Sequence, residues 1–144
     1  MTDKIGLASD HAGFEVKEHI RKFLDKMNIP YIDYGTYSAE RANYAEFGHR
    51  LAKAIELNDV CKGIAVCGSG NGINMTLNRH KGIRAALCWN EELIRLARSH
   101  NDANVLSIPG RFVSVELAEK IVKVFFDTTY EGGRHQSRVE AIDI

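Results

Sequence analysis

The sequence predicts an α/β fold in which helices cover both faces of a five-stranded parallel sheet. Short apolar runs alternate along the chain with longer segments in which apolar residues recur every three or four positions. Such alternation is typical of parallel strands joined by helical crossovers. The 144 residues predict one domain, residues 1–144. A chain of this length buries roughly 68–70% of its unfolded surface, which is enough for a substantial core.

The first half of the chain predicts three strands. An apolar run over 5–8 is the first, and helical periodicity follows from 14 to 27. Pro30 interrupts that periodicity, and a second strand covers 31–34. A polar loop over 36–43 then leads to a helix with Phe47 and Leu51 on its apolar face, and the third strand covers 62–66.

The second half predicts two more strands and a separate tail. The fourth strand covers 83–88, and Asn90 is suited to cap a helix over 91–98. A polar loop over 99–104 leads to the fifth strand, 105–108, after which Ser114 caps a long amphipathic helix. The tail, residues 132–144, is expected to begin as a flexible glycine-rich segment and to end as a short basic-then-apolar one.

Composition excludes several classes of function. The 19 basic and 19 acidic residues balance, so no bulk field favours nucleic acid or a membrane surface as a partner. The three cysteines are odd in number and lack a C-x-x-C spacing, which indicates reduced thiols. Neither a signal-peptide core nor an apolar run of about 18 residues is present, so we expect a cytoplasmic protein.

The most informative stretch follows the third strand. Cys67 is succeeded by three glycines, at 68, 70 and 72, which alternate with Ser69 and Asn71. Glycines allow a turn in which several backbone N–H groups surround an anion. A helix starting at Gly72 or Ile73 would point its positive end into the same space. A thiol there is a candidate acid or base.

Four familiar phosphate and nucleophile motifs do not fit this loop. The third glycine comes one residue too early for a dinucleotide fingerprint, and no Lys-Ser or Lys-Thr pair follows, as a P-loop requires. Ile73 stands where a cysteine phosphatase has arginine, and Ser69 lacks the preceding glycine of a nucleophile elbow. The loop alone leaves open a tight turn beside an inert buried cysteine.

Asp10 and His11 follow the first strand directly. In open parallel sheets, ligands bind beyond the carboxyl ends of the strands at the switch in strand order. We therefore expect Asp10 and His11 to share a cleft with the loop over 67–72. Asp10 either caps the next helix or orients a sugar hydroxyl or His11, and His11 is a candidate donor to phosphate.

Two later segments add candidates. His100 can carry protons near neutral pH, or it is simply a solvated loop residue. Arg134 and Arg138 are spaced to share a helix face and to clamp one phosphate, unless they pair with Glu131 and Glu140. Arg111, after Pro109-Gly110, is a third cationic candidate. No zinc-ligand spacing occurs, so no metal is expected.

Five segments, taken in order, resemble one family closely. They read S-D-H-A-G at 9–13, C-G-S-G-N-G at 67–72, G-I-R-A at 82–85, H-N-D-A-N-V at 100–105, and E-G-G-R-H at 131–135 with R-V-E at 138–140. Together they resemble the ribose-5-phosphate isomerase B family, which also includes allose- and galactose-6-phosphate isomerases. The resemblance covers essentially the whole chain.

The resemblance implies a Rossmann-like three-layer sandwich and a homodimer whose active sites are shared between subunits, with further pairing of dimers left open. It implies a cofactor-free and metal-free aldose–ketose isomerisation through an enediolate. The leading substrate pair is D-ribose 5-phosphate and D-ribulose 5-phosphate, in the non-oxidative pentose phosphate pathway. The tail over 130–144 would bind phosphate and contact the second subunit.

By the same resemblance, Cys67 moves the proton between C2 and C1, His100 with Asp10 opens the sugar ring, and Ser69 assists transfer at the hydroxyls. The remaining roles are in substrate binding. They fall on His11, Tyr44, Gly68, Gly70, Asn71, Gly72, Asn101, Arg111, Arg134 and Arg138.

One branch of the family has glutamate where Ile73 stands and lacks the cysteine, so this chain resembles the cysteine branch. Asn71, the run over 74–77 and Trp89 depart from that branch and bear on the preferred sugar. The alternatives are therefore an isomerase of a six-carbon sugar phosphate, a phosphosugar-binding subunit without turnover, and a nucleotide-binding flavodoxin-like module.

Overall fold

The computed structural model describes residues 2–144 and contains one sheet of five parallel strands. The spatial order is β2-β1-β3-β5-β4. The strands are β1 (Ile5–Ser9), β2 (Tyr31–Asp33), β3 (Lys62–Cys67), β4 (Ala85–Leu87) and β5 (Val105–Pro109). The predicted five-stranded parallel sheet is confirmed, although β4 is shorter than the apolar run at 83–88 suggested.

Helices cover both faces of this sheet, as predicted. They are α1 (Phe14–Lys26), α2 (Tyr44–Glu56), α3 (Asn71–Leu77), α4 (Glu91–Asn101), α5 (Val115–Asp127) and α6 (Gln136–Glu140), with a 3₁₀ turn at Gly133–His135. One buried cluster joins the sheet to α1, α4 and α5, and a second joins it to α2 and α3. Within residues 2–144, no helix has the length and apolar character needed to cross a bilayer.

The register of β1 and β3 positions the carboxyl edge of the sheet. The chain starts in β1, places β2 on one side and β3 on the other, and so reverses its strand order between β1 and β3. Ser9 is paired with Val66, which brings Asp10 beside Cys67 at the next step. The two strand ends therefore meet at the switch point, as expected.

Helix α4 runs further than its sequence suggested. We expected an end near Arg98 and a loop over 99–104, but the helix continues to Asn101 and closes at Asp102, whose φ is 49°. The Arg98 guanidinium donates to the carbonyl of Ala103 at 2.7 Å and to the Asp102 carboxylate at 3.0 Å. These hydrogen bonds stabilise the C-terminal end of the helix. As a result, His100 lies in the last turn of α4.

The tail is held in place from its start, which corrects the expectation of a flexible segment. The N–H of Glu131 donates to the carbonyl of Ser99 at 3.0 Å. Gly132 and Gly133 then adopt positive φ values of 67° and 56°, which turn the chain into the 3₁₀ turn and α6. Near the end, Asp143 accepts a hydrogen bond from the N–H of Gly82 at 2.9 Å. The tail therefore packs along the last turn of α4 and the start of β4.

Candidate active site

Cys67 ends β3 with its thiol almost fully buried, at 3% exposure. Burial raises the pKa of this thiol, the backbone N–H of Ile73 opposes the rise, and the charge of Asp10 adds to it. The N–H groups of Gly70 and Gly72 also bond to the sulfur and favour the thiolate. The backbone amides of the loop are therefore aimed at the sulfur, but burial outweighs them and the pKa of Cys67 is raised.

A comparison with Cys88 shows what these amides contribute to the pKa of Cys67. Cys88 is also buried, at 2% exposure, and burial alone raises the pKa of its thiol to about 12. No backbone amide opposes that rise. Cys67 thus differs from Cys88 by the backbone donors that surround its sulfur.

Two glycines of the loop are required by its geometry. Gly70 has a φ of 78°, a left-handed conformation that caps α3. Helix α3 thus begins at Asn71, one residue before the earliest predicted start. A Cβ at Gly72 would lie 2.5 Å from the ring of Tyr44, so glycine allows that ring to lie against the loop. The structure thereby brings Tyr44 to Cys67's loop.

Asp10 caps the turn that leads into α1, whereas the N-cap position of α1 itself is Gly13, which no side chain caps in the described residues. The Asp10 Oδ1 accepts the N–H of Gly13 at 2.9 Å in the turn leading to α1, and its side chain is buried at 6% exposure. Its negative charge also raises the pKa of Cys67, so the carboxylate lies near the thiol. A role in chemistry and a role in capping are therefore compatible at this position.

His11 lies half-buried beside the same edge. Its Nδ1 is 3.1 Å from the carbonyl oxygen of Ala42 and 3.2 Å from the backbone nitrogen of Ala42. When the Ala42 N–H donates to Nδ1, the ring proton is on Nε2, which is then a donor. The backbone of residue 42 therefore fixes the ring and determines which nitrogen faces outward.

An open groove continues from the loop toward β4 and β5. Ser69 and Asn71 are exposed at one end of it, where the Ser69 hydroxyl accepts the N–H of Asn71 at 3.3 Å. The groove has a volume of about 570 Å³ and is lined by Ser69, Asn71, Leu87, Trp89, Pro109 and Phe112. Arg111 lies next to it, with its Nη1 3.2 Å from the position of a Cβ on Gly68.

The remaining candidates lie at the opposite edge of the sheet. Because α4 runs antiparallel to the strands, its last turn reaches the amino end of β5, where Asn104 accepts the N–H of Gly63. The four steps from Gly63 to Cys67 along β3 span about 13 Å. His100 and the exposed Asn101 therefore cannot contact Cys67 of the same chain.

Arg134 and Arg138 share that amino edge. Arg134 lies in the 3₁₀ turn and Arg138 in α6, so they do not belong to one regular helix as their spacing predicted. Both side chains are exposed, and neither forms an ion pair in the part of the chain that the structure describes. Glu140 instead accepts from Gln136 at 2.8 Å. The alternative, pairing with Glu131 and Glu140, is not found within residues 2–144.

Sequence reasoning missed the partner of His100. His135 stacks on it with ring centroids 4.3 Å apart, and Glu131 lies 3.9 Å from Nε2 of His100. His135 is buried at 6% exposure, and its pKa is lowered first by that burial and then by the charge of Arg134. No short sequence motif indicates this cluster, because Glu131 and His135 are 4 positions apart but His100 lies 31 positions before Glu131.

Nearly the whole chain matches known isomerases. A family model described as Ribose/Galactose Isomerase matches residues 5–142. Ribose-5-phosphate isomerase B of Escherichia coli (strain K12) is 43% identical over 139 residues, which cover 96% of this chain and 93% of the relative.

Solved structures agree with this match. A ribose 5-phosphate isomerase of Thermotoga maritima superposes with a TM-score of 0.96 at 45% identity, covering 99% of both chains. Ribose-5-phosphate isomerase B of Mycoplasma genitalium, solved with bound ribulose-5-phosphate, gives a TM-score of 0.92 at 37% identity and covers 99% of this chain and 95% of that one. With the family model and these relatives matching nearly its full length, the chain belongs to the ribose/galactose isomerase family.

Proposed function

We propose that this chain interconverts D-ribose 5-phosphate and D-ribulose 5-phosphate through an enediolate, with Cys67 as the base. The relatives from E. coli and T. maritima carry the name of that activity, and the M. genitalium relative was solved with the ketose product. Within this chain, the observation that carries the proposal is the buried Cys67 thiol facing the amides of Gly70 and Gly72.

In the proposed proton transfer, the thiolate of Cys67 removes the proton from C2 of the open-chain aldose. The electron pair moves to the C1 oxygen, and the loop amides stabilise the negative charge that develops there. The Ser69 hydroxyl then passes the proton of the C2 hydroxyl to that oxygen. The Cys67 thiol returns its proton to C1 and leaves the ketose. The Cys67 thiolate, which is the base, is regenerated, and no redox partner is required.

Ring opening precedes this step, because the sugar phosphate is mainly cyclic in solution. We assign it to His100 together with Asp10, which would move a proton from the anomeric hydroxyl to the ring oxygen. These two residues lie at opposite edges of one chain. The assignment therefore requires His100 of a second copy, with Asn101 beside it lining the sugar pocket.

A homodimer with shared sites follows from the same separation. One copy supplies the edge with Cys67, Asp10 and His11, and the other supplies its tail, residues 130–144. His11 with its proton on Nε2 donates to the phosphate, and the unpaired Arg134 and Arg138 of the second copy bind it from the other side. Arg111, next to Gly68, is a further contact on the first copy's side.

The six-carbon alternative has one structural feature in its favour. Asn71, a departure from the branch this chain resembles, is exposed at the mouth of the groove beside Ser69, where a longer sugar would need room. The family description also includes galactose isomerases.

A coupled assay comparing ribose 5-phosphate with allose 6-phosphate and galactose 6-phosphate tests the proposal. We expect the highest kcat/KM for ribose 5-phosphate. A higher kcat/KM for a six-carbon substrate would change the assigned substrate but leave the proposed isomerisation mechanism in place. Tight binding of all three sugars without turnover would instead indicate a phosphosugar-binding subunit and overturn the proposal.

A further inference from the structure

The cluster at the amino edge has the composition of a transition-metal site. Two imidazoles and one carboxylate, from His100, Glu131 and His135, bring their ligand atoms within 4.8 Å of one another. Imidazole nitrogen and carboxylate oxygen are ligands that zinc and related ions use in proteins. Three protein ligands with an open fourth position also form a common coordination set for zinc.

His135 supplies a second, independent observation. Its side chain is 8% exposed, and its Nε2 has no hydrogen-bond partner among the described residues 2–144. A buried ring nitrogen without a partner loses its bond to water and gains nothing in return, which is unfavourable. That nitrogen points toward the Glu131 carboxylate, 3.8 Å away, and is available to a ligand arriving between them.

We propose that His100, Glu131 and His135 form a binding site for a divalent transition-metal ion such as Zn²⁺. The Glu131 carboxylate lies 3.9 Å from Nε2 of His100 and 3.8 Å from Nε2 of His135. Neighbouring ligands of a tetrahedral zinc are about 3.4 Å apart for bond lengths near 2.1 Å. The pocket must therefore contract by about 0.5 Å for each of these pairs.

The residues that have to move are the ones able to do so. The rings of His100 and His135 are nearly parallel, with an interplanar angle of 16°, so a shared ion requires one ring to tilt. The side chains of His100 and Glu131 are 36% and 52% exposed, so they have room to move. The His135 side chain is only 8% exposed and is held by its surroundings. His135 thus acts as the fixed ligand, and the other two close onto the ion.

Nearby charge decides which ions fit. The exposed guanidiniums of Arg134 and Arg138 follow closely in the chain and oppose any cation held by charge alone. Mg²⁺ and Ca²⁺ bind through oxygen ligands and charge, and one carboxylate cannot offset two arginines. Zn²⁺, Co²⁺ and Ni²⁺ form strong bonds to neutral imidazole, so they remain favourable here.

Occupation of the site would inhibit the enzyme. This consequence rests on the proposed function, in which His100 opens the sugar ring of a substrate bound by a second copy. A metal on Nε2 of His100 removes the lone pair that accepts the proton. The site is therefore inhibitory and is not required for turnover, and removing metals with a chelator should leave activity intact or raise it.

Metal binding itself is tested without any activity assay. Chelator-treated protein is titrated with Co²⁺ while its visible d–d absorption is measured, and Zn²⁺ is then added to displace it. We expect one ion per chain for the wild type. Glu131→Gln and His135→Phe should each weaken binding by at least about tenfold, since even outer-shell changes at metal sites cost that much. Glu131 is exposed, so Glu131→Gln tests the site even if His135→Phe fails to fold.

His49→Phe is the matched control. His49 and His80 form another histidine pair with Glu56, with a Nδ1-to-Nε2 distance of 2.7 Å between the rings. We expect this variant to bind Co²⁺ as the wild type does. Absence of binding to the wild type, equal binding by Glu131→Gln, loss of binding only in His49→Phe, or thiolate-to-cobalt absorption indicating a cysteine site would each overturn the proposal.

The inhibitory role is then measured separately. Micromolar Zn²⁺ should reduce the isomerase rate of the wild type and leave that of Glu131→Gln unchanged. If the wild type binds Co²⁺ at this site but has no isomerase activity, the proposed function fails and the metal site stands. If both proteins are active and equally resistant to Zn²⁺, the inhibitory role is refuted.

Discussion

The two edges of the sheet differ in the side chains that they present. The carboxyl edge holds a buried thiol and a buried carboxylate, Cys67 and Asp10, which backbone amides surround. The amino edge holds His100 at 36% side-chain exposure, together with the exposed Arg134 and Arg138. One edge is shielded and fixed by the main chain, while the other is open and cationic.

Under the proposed function, this difference would leave one chain incomplete. Burial leaves the pKa of Cys67 raised, so a single copy holds the sulfur mainly as a neutral thiol at pH 7. Cations that approach the carboxyl edge favour the thiolate. In the proposed dimer those cations are Arg134 and Arg138 at the amino edge of the second copy, which also bind the phosphate. Assembly would then complete the pocket and activate its base.

The largest expected effect comes from Cys67→Ser. The change keeps the size and a hydrogen bond, but a hydroxyl is far less acidic than a thiol. We expect kcat to fall by roughly 10²–10⁴-fold, the range typical of general acid–base catalysis. Steady-state kinetics measure this. Cys61→Ser is the matched control, since Cys61 is a free thiol before β3 and should retain near-normal turnover. Equal kcat values for the wild type and Cys67→Ser would assign the proton transfer to another group, with Asp10 first in line.

The carboxyl edge was largely predictable from sequence. Parallel strands buried on both faces read as short apolar runs, and the strand order places the ends of β1 and β3 together. Local rules were enough for Asn90 and Ser114, which cap α4 and α5 as expected. They were also enough for the amides around Cys67, because the alternating glycines allow the turn that forms them.

The amino edge was not predictable in the same way. Residues 99–104 are rich in turn formers, so their composition favoured a loop, whereas Arg98 and Arg84 bond to Asp102 and extend α4 to Asn101. Likewise, the contact of His100 with His135 depends on how the tail packs, which no short-range pattern encodes. Sequence proposed the residues here, and only tertiary packing identified their neighbours.

Mixing variants tests the division between the two edges directly. In a heterodimer of Cys67→Ser and His100→Ala chains, one of the two shared sites is intact. Random exchange of equal amounts makes half of the dimers mixed, so we expect about a quarter of wild-type activity to return. The assay follows activity after subunit exchange, with mass spectrometry to verify heterodimers.

The matched control for this experiment combines two variants of the same edge. In a mixture of Cys67→Ser and Asp10→Asn chains, every site carries one defect, so no activity should return. Recovery in this second mixture but not in the first would place His100 and Cys67 in the same chain's site and refute the shared arrangement.

A moderate effect is expected from the cationic edge. Arg134→Ala and Arg138→Ala each remove a charged hydrogen bond to phosphate, worth about 1.5–3 kcal/mol. We expect kcat/KM for ribose 5-phosphate to fall by roughly 10–100-fold, mostly through KM. Arg50→Ala is the control, because Arg50 is an exposed arginine already paired with Glu46 on α2. Unchanged kinetics in the Arg134→Ala/Arg138→Ala double variant would remove both arginines from the site.

The smallest expected effect concerns the charge beside the thiol. Asp10 raises the pKa of Cys67 because its negative charge disfavours the thiolate, so Asp10→Asn should lower that pKa. The thiolate fraction rises with pH, and the variant should reach half-ionisation at a lower pH than the wild type. The rate of alkylation by iodoacetamide, located at Cys67 by mass spectrometry, follows the thiolate without requiring catalysis. Cys88 serves as an internal reference, since burial alone raises its pKa to about 12 and Asp10→Asn should leave it unchanged. An unmoved or higher midpoint for Cys67 in Asp10→Asn would mean that the carboxylate is neutral or does not face the sulfur, and its proposed partnership with His100 in ring opening would then need another donor.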